Sequence, residues 1–466
     1  MARNVEQVVI LGLARQGKAL ARFFVDRGAE VTISDIRPAP AWEAEIAALD
    51  LPVTYVLGEH PLTLLDDCDL LCLSGGVPVD LPIVEEARRR GVPLSNDARE
   101  FLLRCPAPVL GITGSAGKTT TTSLVGEMAR EAGYTTWVGG NIGNPLLNDL
   151  DEMKEDDQVV MELSSFQLEL MDVSPQVAGV LNITPNHLDR HGTMEAYIEA
   201  KANLVTHQQA DDVAVLGYEE PHARALAQRT PAEVRYFSSE QPVAAGSYLD
   251  EDALMLCRPD FCERVCRRDE IPLRGAHNVR NVLAAIALAD AIAVPIPAMH
   301  RAITAFTGVE HRLEEVRRRN DVLWVNDSIA TAPERVLAAL DSFEEPVVLL
   351  AGGRDKDLPW ETFARRVVGR VRVLILFGEA QNLIGRHVRR VWEGVGRLGT
   401  LQEIVRAETL AGAVEAAARR AQAGDVVLLS PGGTSFDAYR DFAERGEHFR
   451  ALVKALKTDE KGEDDG

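Results

Sequence analysis

The sequence predicts an α/β protein made of three successive parallel-sheet domains. Short β-branched runs alternate with helical patterns in three separate stretches. A glycine loop opens the second stretch directly behind a strand. The chain has 466 residues, too many for one hydrophobic core. Apolar residues make up 46% of it, an ordinary share for a globular protein.

The first stretch, residues 1–105, places strands at Gln7–Leu11 and Glu30–Ser34 around a helix of Gln16–Arg27. A further strand, Asp69–Ser74, ends in the turn Gly75–Gly76. The segment Arg104-Cys105-Pro106-Ala107-Pro108 reads as a linker. The second stretch, 106–307, opens with the strand Val109–Thr113 and continues with strands at Gln158–Met161 and Val177–Asn182. A β-rich excursion follows over residues 212–273, then a helix beginning near Asn278. The third, 308–457, carries strands Val322–Val325, Val347–Leu350, Val373–Phe377 and Val426–Leu429. The polar tail 458–466 reads as disordered. No internal repeat is visible.

The formal net charge of −21 opposes binding to a polyphosphate backbone and so excludes nucleic acid as a partner class. Small anionic substrates stay open, because local N–H groups and a few cations outweigh a distant field. The start of the chain lacks a basic segment followed by a long apolar one and a small-residue cleavage site. The longest apolar stretch, Val282–Met299, is interrupted by Asp290, Pro295 and Pro297, which suits a buried helix and not a membrane span. A cytoplasmic protein without membrane insertion is expected. Oligomeric state has no signature in the sequence. Six cysteines in a chain this long make no disulfide framework. Cys257, Cys262 and Cys266 lie close together but lack a CxxC pair or a matching histidine, so reduced structural thiols are expected in place of zinc.

The loop Gly111-Ile112-Thr113-Gly114-Ser115-Ala116-Gly117-Lys118-Thr119-Thr120 carries the strongest chemical signal. Glycines let backbone N–H groups approach phosphate oxygens, and the helix behind the loop adds partial positive charge. Gly114, Ser115, Gly117 and Thr120 shape that cradle. Lys118 can neutralise the β- and γ-phosphates, and the Thr119 hydroxyl can reach Mg²⁺. Ile112 stands where the longer P-loop pattern has its first glycine, so this is the shorter TGxxGK[ST] form. An ordinary glycine-rich turn is the competing reading; GKTT directly behind it favours ATP.

Glu162 follows the apolar run Val159–Met161, and His187 follows the next strand. Ligands gather at the carboxyl edge of parallel sheets, so both residues are candidates for Mg²⁺ on the triphosphate. Alone, Glu162 passes equally as a helix-capping carboxylate and His187 reads better as a loop histidine; their shared placement after consecutive strands favours the metal. Asn278 and Asn281 lie one turn apart on an apolar helix; the first reads as an N-cap, the second as a buried hydrogen-bonding amide. In the first stretch, Gly12 and Gly17 form an imperfect dinucleotide fingerprint with Asp35 at the end of the second strand. That motif fits an NAD-dependent dehydrogenase as readily as a UDP-sugar site. A second phosphate cradle at Gly111–Thr119 argues against hydride transfer.

With these motifs in order, the chain resembles the Mur ligase family at its glutamate-adding branch. The resemblance rests on TGSAGKTT, MELSSFQLE (Met161–Glu169), NITPNHLDRH (Asn182–His191), GAHNVRNVLAA (Gly275–Ala285), EHR (Glu310–Arg312), NDS (Asn326–Ser328) and SPGGTSFDAYRDFAERGEHF (Ser430–Phe449). It implies a Rossmann-like N-terminal domain for the UDP-linked substrate, a central P-loop-type ATPase domain and a C-terminal Rossmann-like α/β domain for the amino acid. It also implies an ATP-dependent ligase of peptidoglycan precursor synthesis, adding D-glutamate to UDP-N-acetylmuramoyl-L-alanine through an acyl phosphate. Asp35 and Arg37 would contact the uracil side of that substrate, and Gly76 and Asn141 its diphosphate and sugar. Lys118 and Thr119 would serve ATP and Mg²⁺, with Glu162 and His187 as metal ligands and two metal sites in all. Lys201, otherwise a solvated helix lysine, matches a lysine that becomes a carbamate and reaches the second Mg²⁺. Asn278, Arg312 and Asp327 would hold the nucleotide, the last two from across the domain interface. Thr331, Lys356, Ser435 and Phe442 would hold the incoming glutamate.

Two departures stand out. Ala116 replaces an asparagine usual in the family's loop, a small change where backbone does the cradling. Ile329 stands where the family usually has lysine, near the glutamate positions, so a preference for L-glutamate over D-glutamate stays open. A folylpolyglutamate-type ligase shares the general scaffold, and a non-catalytic nucleotide-binding protein would bind ATP without releasing phosphate.

Overall fold

The computed structural model describes residues 6–356, 358–395 and 399–457, with the side chains of Ala44, Asp189 and Val395 also left undescribed. The tail expected to be disordered, 458–466, lies outside them. Two compact units divide the chain, Met1–Pro272 with Ala276–Phe306, and Leu273–Gly275 with Thr307–Gly466.

The first unit holds two sheets. Strands β1 (Gln7–Leu11), β2 (Glu30–Asp35), β3 (Thr54–Leu57), β4 (Leu70–Leu73) and β5 (Leu94–Ser95) form an all-parallel sheet in the order β3-β2-β1-β4-β5. β1 is central because its residues Val8–Leu11 are buried on both faces, the pattern of a parallel strand covered by helices on each side. The second sheet runs through β6 (Val109–Thr113), β7 (Thr136–Gly140), β8 (Gln158–Glu162), β9 (Val177–Val180), β10 (Val213–Gly217), β11 (Glu233–Ser238), β12 (Gly246–Asp250), β13 (Ala253–Arg258) and β14 (Phe261–Arg267). Their order is β14-β13-β12-β11-β10-β9-β6-β8-β7. The strands from β7 across to β12 are parallel, and β12, β13 and β14 form an antiparallel edge that accounts for the β-rich excursion.

The first two domains share one hydrophobic core, in which Phe23, Phe24 and Phe101 of the first meet Leu146, Leu147 and Met153 of the second. Polar contacts reinforce it. Asn96 donates to the Gln167 carbonyl at 2.7 Å, and Arg99 makes a bidentate pair with Asp172 at 2.7 and 2.9 Å.

The second unit holds β15 (Glu314–Arg319), β16 (Val322–Asn326), β17 (Val347–Gly352), β18 (Val371–Phe377), β19 (Glu403–Arg406) and β20 (Val426–Gly432) in the order β15-β16-β20-β17-β18-β19. Only β15 is antiparallel to its neighbour among these described strands. Apolar clusters cover both faces of the sheet, one including Trp360 and Phe363, the other Trp324 and Phe449.

Three expectations change. The apolar stretch Val282–Met299 is two helices, Ala276–Ala291 and Ile296–Ala305, because Ala293 turns left-handed at φ 60° and Pro295 precedes the second helix. Its Asp290 is buried and paired with Arg235 and Arg258. Among the described residues no helix is long and apolar enough to cross a membrane. The strand expected to reach Asn182 stops at Val180, since Asn182 turns to bind the phosphate loop. Finally, Cys257 and Cys262 are not separate thiols. They face each other across the β13–β14 hairpin with Cα atoms 4.1 Å apart and form a disulfide, a pairing that register creates and linear spacing hides. Cys68, Cys72, Cys105 and Cys266 are free, as expected.

Candidate functional site

β6 ends at Thr113, and the loop Gly114–Gly117 leads into the helix Lys118–Glu131. The first N–H groups of such a helix have no partner within it and point toward the loop. Gly117 sits at φ 84°, a left-handed conformation open to glycine, and a Cβ there would collide with the Asn281 side-chain oxygen. Asn281 donates in turn to the Asn278 Oδ1 at 3.0 Å, so the paired amides of this helix brace the loop from behind. Asn182 braces it from the other side, accepting from the Ala116 N–H at 2.9 Å and donating to the Ala116 carbonyl at 3.0 Å. Ser115 donates through its backbone to the Asn182 carbonyl, and its hydroxyl meets Tyr197 Oη at 2.9 Å.

Around this cradle the charged groups converge. Glu162 closes β8 and is 1% exposed. One of its carboxylate oxygens accepts from the Thr119 hydroxyl at 2.8 Å, the other from the Asn141 amide at 2.8 Å. Lys118 donates to the Gly114 carbonyl at 2.9 Å. Lys201 is no solvated helix lysine: it is 1% exposed and donates to Thr113 Oγ1 at 3.2 Å and the Gly114 carbonyl at 3.1 Å. Burial, with the charge of Lys118 beside it, pushes its amine well below the ordinary lysine range, and Glu162 only partly opposes this. Thr120 is buried on the same helix.

His187 is exposed and left-handed at φ 54°, where it starts the short helix Leu188–His191. Its ring lies 5.2 Å from Phe166, which also stacks on His191 at 5.3 Å. His191 bonds Ser165 at 2.9 Å and contacts Glu169 at 2.9 Å. Arg190, from the same motif, donates to the carbonyls of Gly76 and Val77 at 3.1 and 2.5 Å. At the neighbouring end of the first sheet, Asp35 accepts from the N–H groups of Leu13 and Arg37, each at 2.9 Å. Burial pushes this carboxyl upward, but these donors and the Arg37 charge together outweigh it, and the group titrates below its ordinary value. Arg37 lies flat over Trp42 at 3.7 Å. Arg15, unremarkable in the sequence, ties the two sheet edges together by donating to the carbonyls of Gly143 (2.5 Å) and Asn141 (3.2 Å).

In the second unit, Asp327 follows β16 and is buried, accepting from Ser430 at 2.8 Å and the Leu313 N–H at 3.3 Å. Burial pushes its carboxyl up to about 7, with Ser430 and the Arg312 charge working against it. Thr331 lies 3.5 Å from the Lys356 amine. Ser435 is buried, and its carbonyl accepts from Ala438 and Tyr439. Phe442 begins the helix Phe442–Ala455 with its ring partly exposed, and its carbonyl accepts from Ser328 at 2.7 Å. Among the described residues, the one group of three His/Cys/Asp/Glu side chains close enough to share an ion is Glu310, His311 and Glu447. Arg450 already pairs with Glu310 and Glu447 there.

Three family models match the chain in sequence order. They describe a Mur ligase MurD-like N-terminal domain over residues 6–96, a Mur ligase middle domain over 112–289 and a Mur ligase glutamate ligase domain over 311–433. The UDP-N-acetylmuramoylalanine--D-glutamate ligase of Symbiobacterium thermophilum is 43% identical over 97% of this chain and 98% of its own length. The chain belongs to the Mur ligase family. A ligase of the same name from Clostridium botulinum is 39% identical, with 97% of both chains covered. Solved Mur ligases share the fold at lower identity. The UDP-N-acetylmuramate-alanine ligase of Thermotoga maritima superposes with a TM-score of 0.58 at 20% identity, covering 97% of this chain and all of that one. Acinetobacter baumannii MurF gives 0.58 at 17%, over 96% and 93%.

Within this Mur ligase, the first unit brings Lys118, Thr119, Glu162, Asn141 and Lys201 to one sheet edge, with Asp35, Arg37 and Gly76 around the adjoining one. Sequence reasoning missed Asn182, Arg15 and Tyr197. All three act through contacts between distant segments; for Asn182 the available signal was its place in NITPNH.

Proposed function

We propose that the chain is an ATP-dependent ligase that adds D-glutamate to UDP-N-acetylmuramoyl-L-alanine in the cytoplasm, a step of peptidoglycan precursor synthesis. The observation that carries this reading is the hydrogen bond from the half-buried Thr119 hydroxyl to the buried Glu162 carboxylate at the foot of the phosphate loop, with Lys118 and Lys201 beside it. Relatives with that activity in their names match nearly the whole chain. The domains on this reading are 1–105 for the UDP-linked substrate, 106–307 for ATP and 308–457 for glutamate.

The residues divide accordingly. Gly114, Ser115, Gly117, Lys118, Thr119 and Thr120 cradle the triphosphate, with Asn278, Arg312 and Asp327 serving the nucleotide. Asp35, Arg37, Gly76 and Asn141 receive the UDP-linked substrate, and Thr331, Lys356, Ser435 and Phe442 the amino acid. Thr119 and Glu162 offer hard oxygen donors 2.8 Å apart, a donor set that suits Mg²⁺. His187, and Lys201 once carbamylated, would add further ligands for Mg²⁺, enough for two sites. When bound, the metal supplies positive charge that offsets the triphosphate and the substrate carboxylate.

The alanyl carboxylate attacks the γ-phosphorus, giving an acyl phosphate and ADP. The glutamate amine then attacks the acyl carbon, and phosphate leaves with the electron pair of the broken C–O bond. Lys118 holds the transferring phosphoryl group at the helix N-terminus, where its charge is already oriented before reaction. Lys201 is a buried amine held by Thr113 and Gly114. In its uncharged form it adds to the carbon of CO₂ and loses a proton to water, which turns a cation into an anionic oxygen ligand.

The test measures ADP release with UDP-N-acetylmuramoyl-L-alanine and each glutamate enantiomer. Release that needs the UDP substrate and favours D-glutamate is expected. A higher kcat/KM for L-glutamate would replace the D-enantiomer in this assignment. Turnover of a pteroate substrate, or ATP binding without phosphate release, would overturn it.

A further inference from the structure

In the second unit, Arg335 stands in the first turn of the helix Pro333–Leu340 and is exposed. Its guanidinium donates to the Ile329 carbonyl at 3.2 Å. The same carbonyl accepts from the Thr331 N–H at 2.9 Å, so the guanidinium is anchored two residues from the Thr331 side chain. The Lys356 amine lies 3.5 Å from the Thr331 hydroxyl. Partial burial and the Arg335 charge hold that amine below the ordinary lysine range.

Three features of this arrangement contribute nothing to the fold. A cation at a helix N-terminus opposes the helix dipole. Two cations brought together repel each other. Among the described residues no ion pair joins Arg335 or Lys356 to a carboxylate, although the chain carries 71 acidic residues against 50 basic ones. The buried Asp327 feels the Arg335 charge only from beyond that distance. Ile329, preceding both in the sequence, contributes no charge and offers only its carbonyl as an anchor. Such a pair adds nothing to the stability of the fold, whereas an anionic ligand reached by both side chains would pair each charge.

We propose that Arg335 is a substrate-binding residue that, with Lys356, pairs with the two carboxylates of the incoming dicarboxylic amino acid. This rests on the glutamate-adding reading above and extends it. The planar guanidinium can spend one N–H on Ile329 and keep the others for a carboxylate, which a lysine at the same place could not match in geometry. The Thr331 hydroxyl, beside the Lys356 amine, supplies a neutral hydrogen bond to the same ligand.

The experiment compares wild type, Arg335→Ala and Arg335→Lys in ADP release, titrating glutamate, glutamine and ATP separately. Arg335→Ala is expected to raise KM for glutamate about tenfold to a hundredfold, the loss of one charge-assisted contact. KM for ATP and the melting temperature stay unchanged, the preference for glutamate over glutamine shrinks, and Arg335→Lys recovers part of the affinity. An Ala variant with wild-type KM for glutamate, or with KM for ATP raised equally, overturns the role given to Arg335. If wild type itself turns over neither enantiomer of glutamate, the functional reading fails before Arg335 is tested.

Discussion

The phosphate-loop cluster brings the basic side chains Lys118 and Lys201 together, and the Thr331 cluster Lys356 and Arg335, but the two hold their groups differently. Lys201 and Glu162 are each 1% exposed, and their side chains are fixed by Thr113, Gly114, Thr119 and Asn141. Lys356 and Arg335 stand exposed, tied down by one carbonyl and one long contact to a hydroxyl. Buried charges act in a low dielectric and need no reorganisation at the moment of reaction, so removing one costs rate. Exposed charges are screened and mobile, so removing one costs affinity. The first arrangement suits chemistry on a triphosphate; the second suits capture of a small amino acid that must enter and be oriented.

The sharpest way to break this comparison is Lys118→Ala. Turnover should fall on the order of 10²–10³ with the melting temperature unchanged. A purified variant retaining more than about a tenth of wild-type kcat would falsify the phosphate-loop assignment. Lys201→Ala should come next, with turnover down about a hundredfold and partly restored by formate or acetate, which supply the missing anion. Mass spectrometry of the intact protein under bicarbonate should show the added CO₂ on wild type only. An active, unrescued variant would place Lys201 outside the chemistry.

The second unit has a buried cation of its own. Arg445 is fully buried and donates to Ser328 Oγ, the Ser328 carbonyl and the Gly433 carbonyl at 2.8–3.2 Å. Burial brings its guanidinium down to about 10. Arg445→Met leaves those acceptors unpaired and should destabilise this unit by about 3 kcal/mol in denaturant titration. Arg335→Ala, on the surface of the same unit, should change stability by less than about 0.5 kcal/mol. Equal losses for the two would erase the contrast between buried and exposed cations.

The most gradual effect is a slope. Asp327 titrates near 7 in the fold, against an ordinary value of 3.8. Between those values the unfolded chain has lost its proton while the fold keeps it, so this residue's contribution to stability declines as pH rises from about 4 to 7. The decline is at most about 1.4 kcal/mol per pH unit. Asp327→Asn should flatten stability over that window; an unchanged slope would show that Asp327 is ionised in the fold.

The strand–loop–helix at Thr113–Glu131 and the glutamate ending β8 were legible because strand periodicity and GKTT are local signals. The edge strands β3, β7, β15 and β19 were not anticipated. β15, Glu-Glu-Val-Arg-Arg-Arg, is charged along nearly its whole length and only partly buried, so pairing with β16 makes it a strand where hydrophobic pattern does not. The Cys257–Cys262 disulfide was hidden for the same reason. Two cysteines five residues apart face each other only once a two-residue turn fixes the hairpin register.

By itself, then, the sequence determined the α/β class, the order of the three sheets along the chain and the residue types at the phosphate loop. These depend on periodicity and on short spacing, which neighbouring residues specify together. Tertiary structure alone decided that Lys201 is buried under the loop, that Asn182 and Asn281 brace it from opposite sides, and that Arg335 stands by Thr331 and Lys356. Each depends on segments that meet only after the sheets have paired. The burial and hydrogen bonding that set a side chain's charge exist only in that assembled environment.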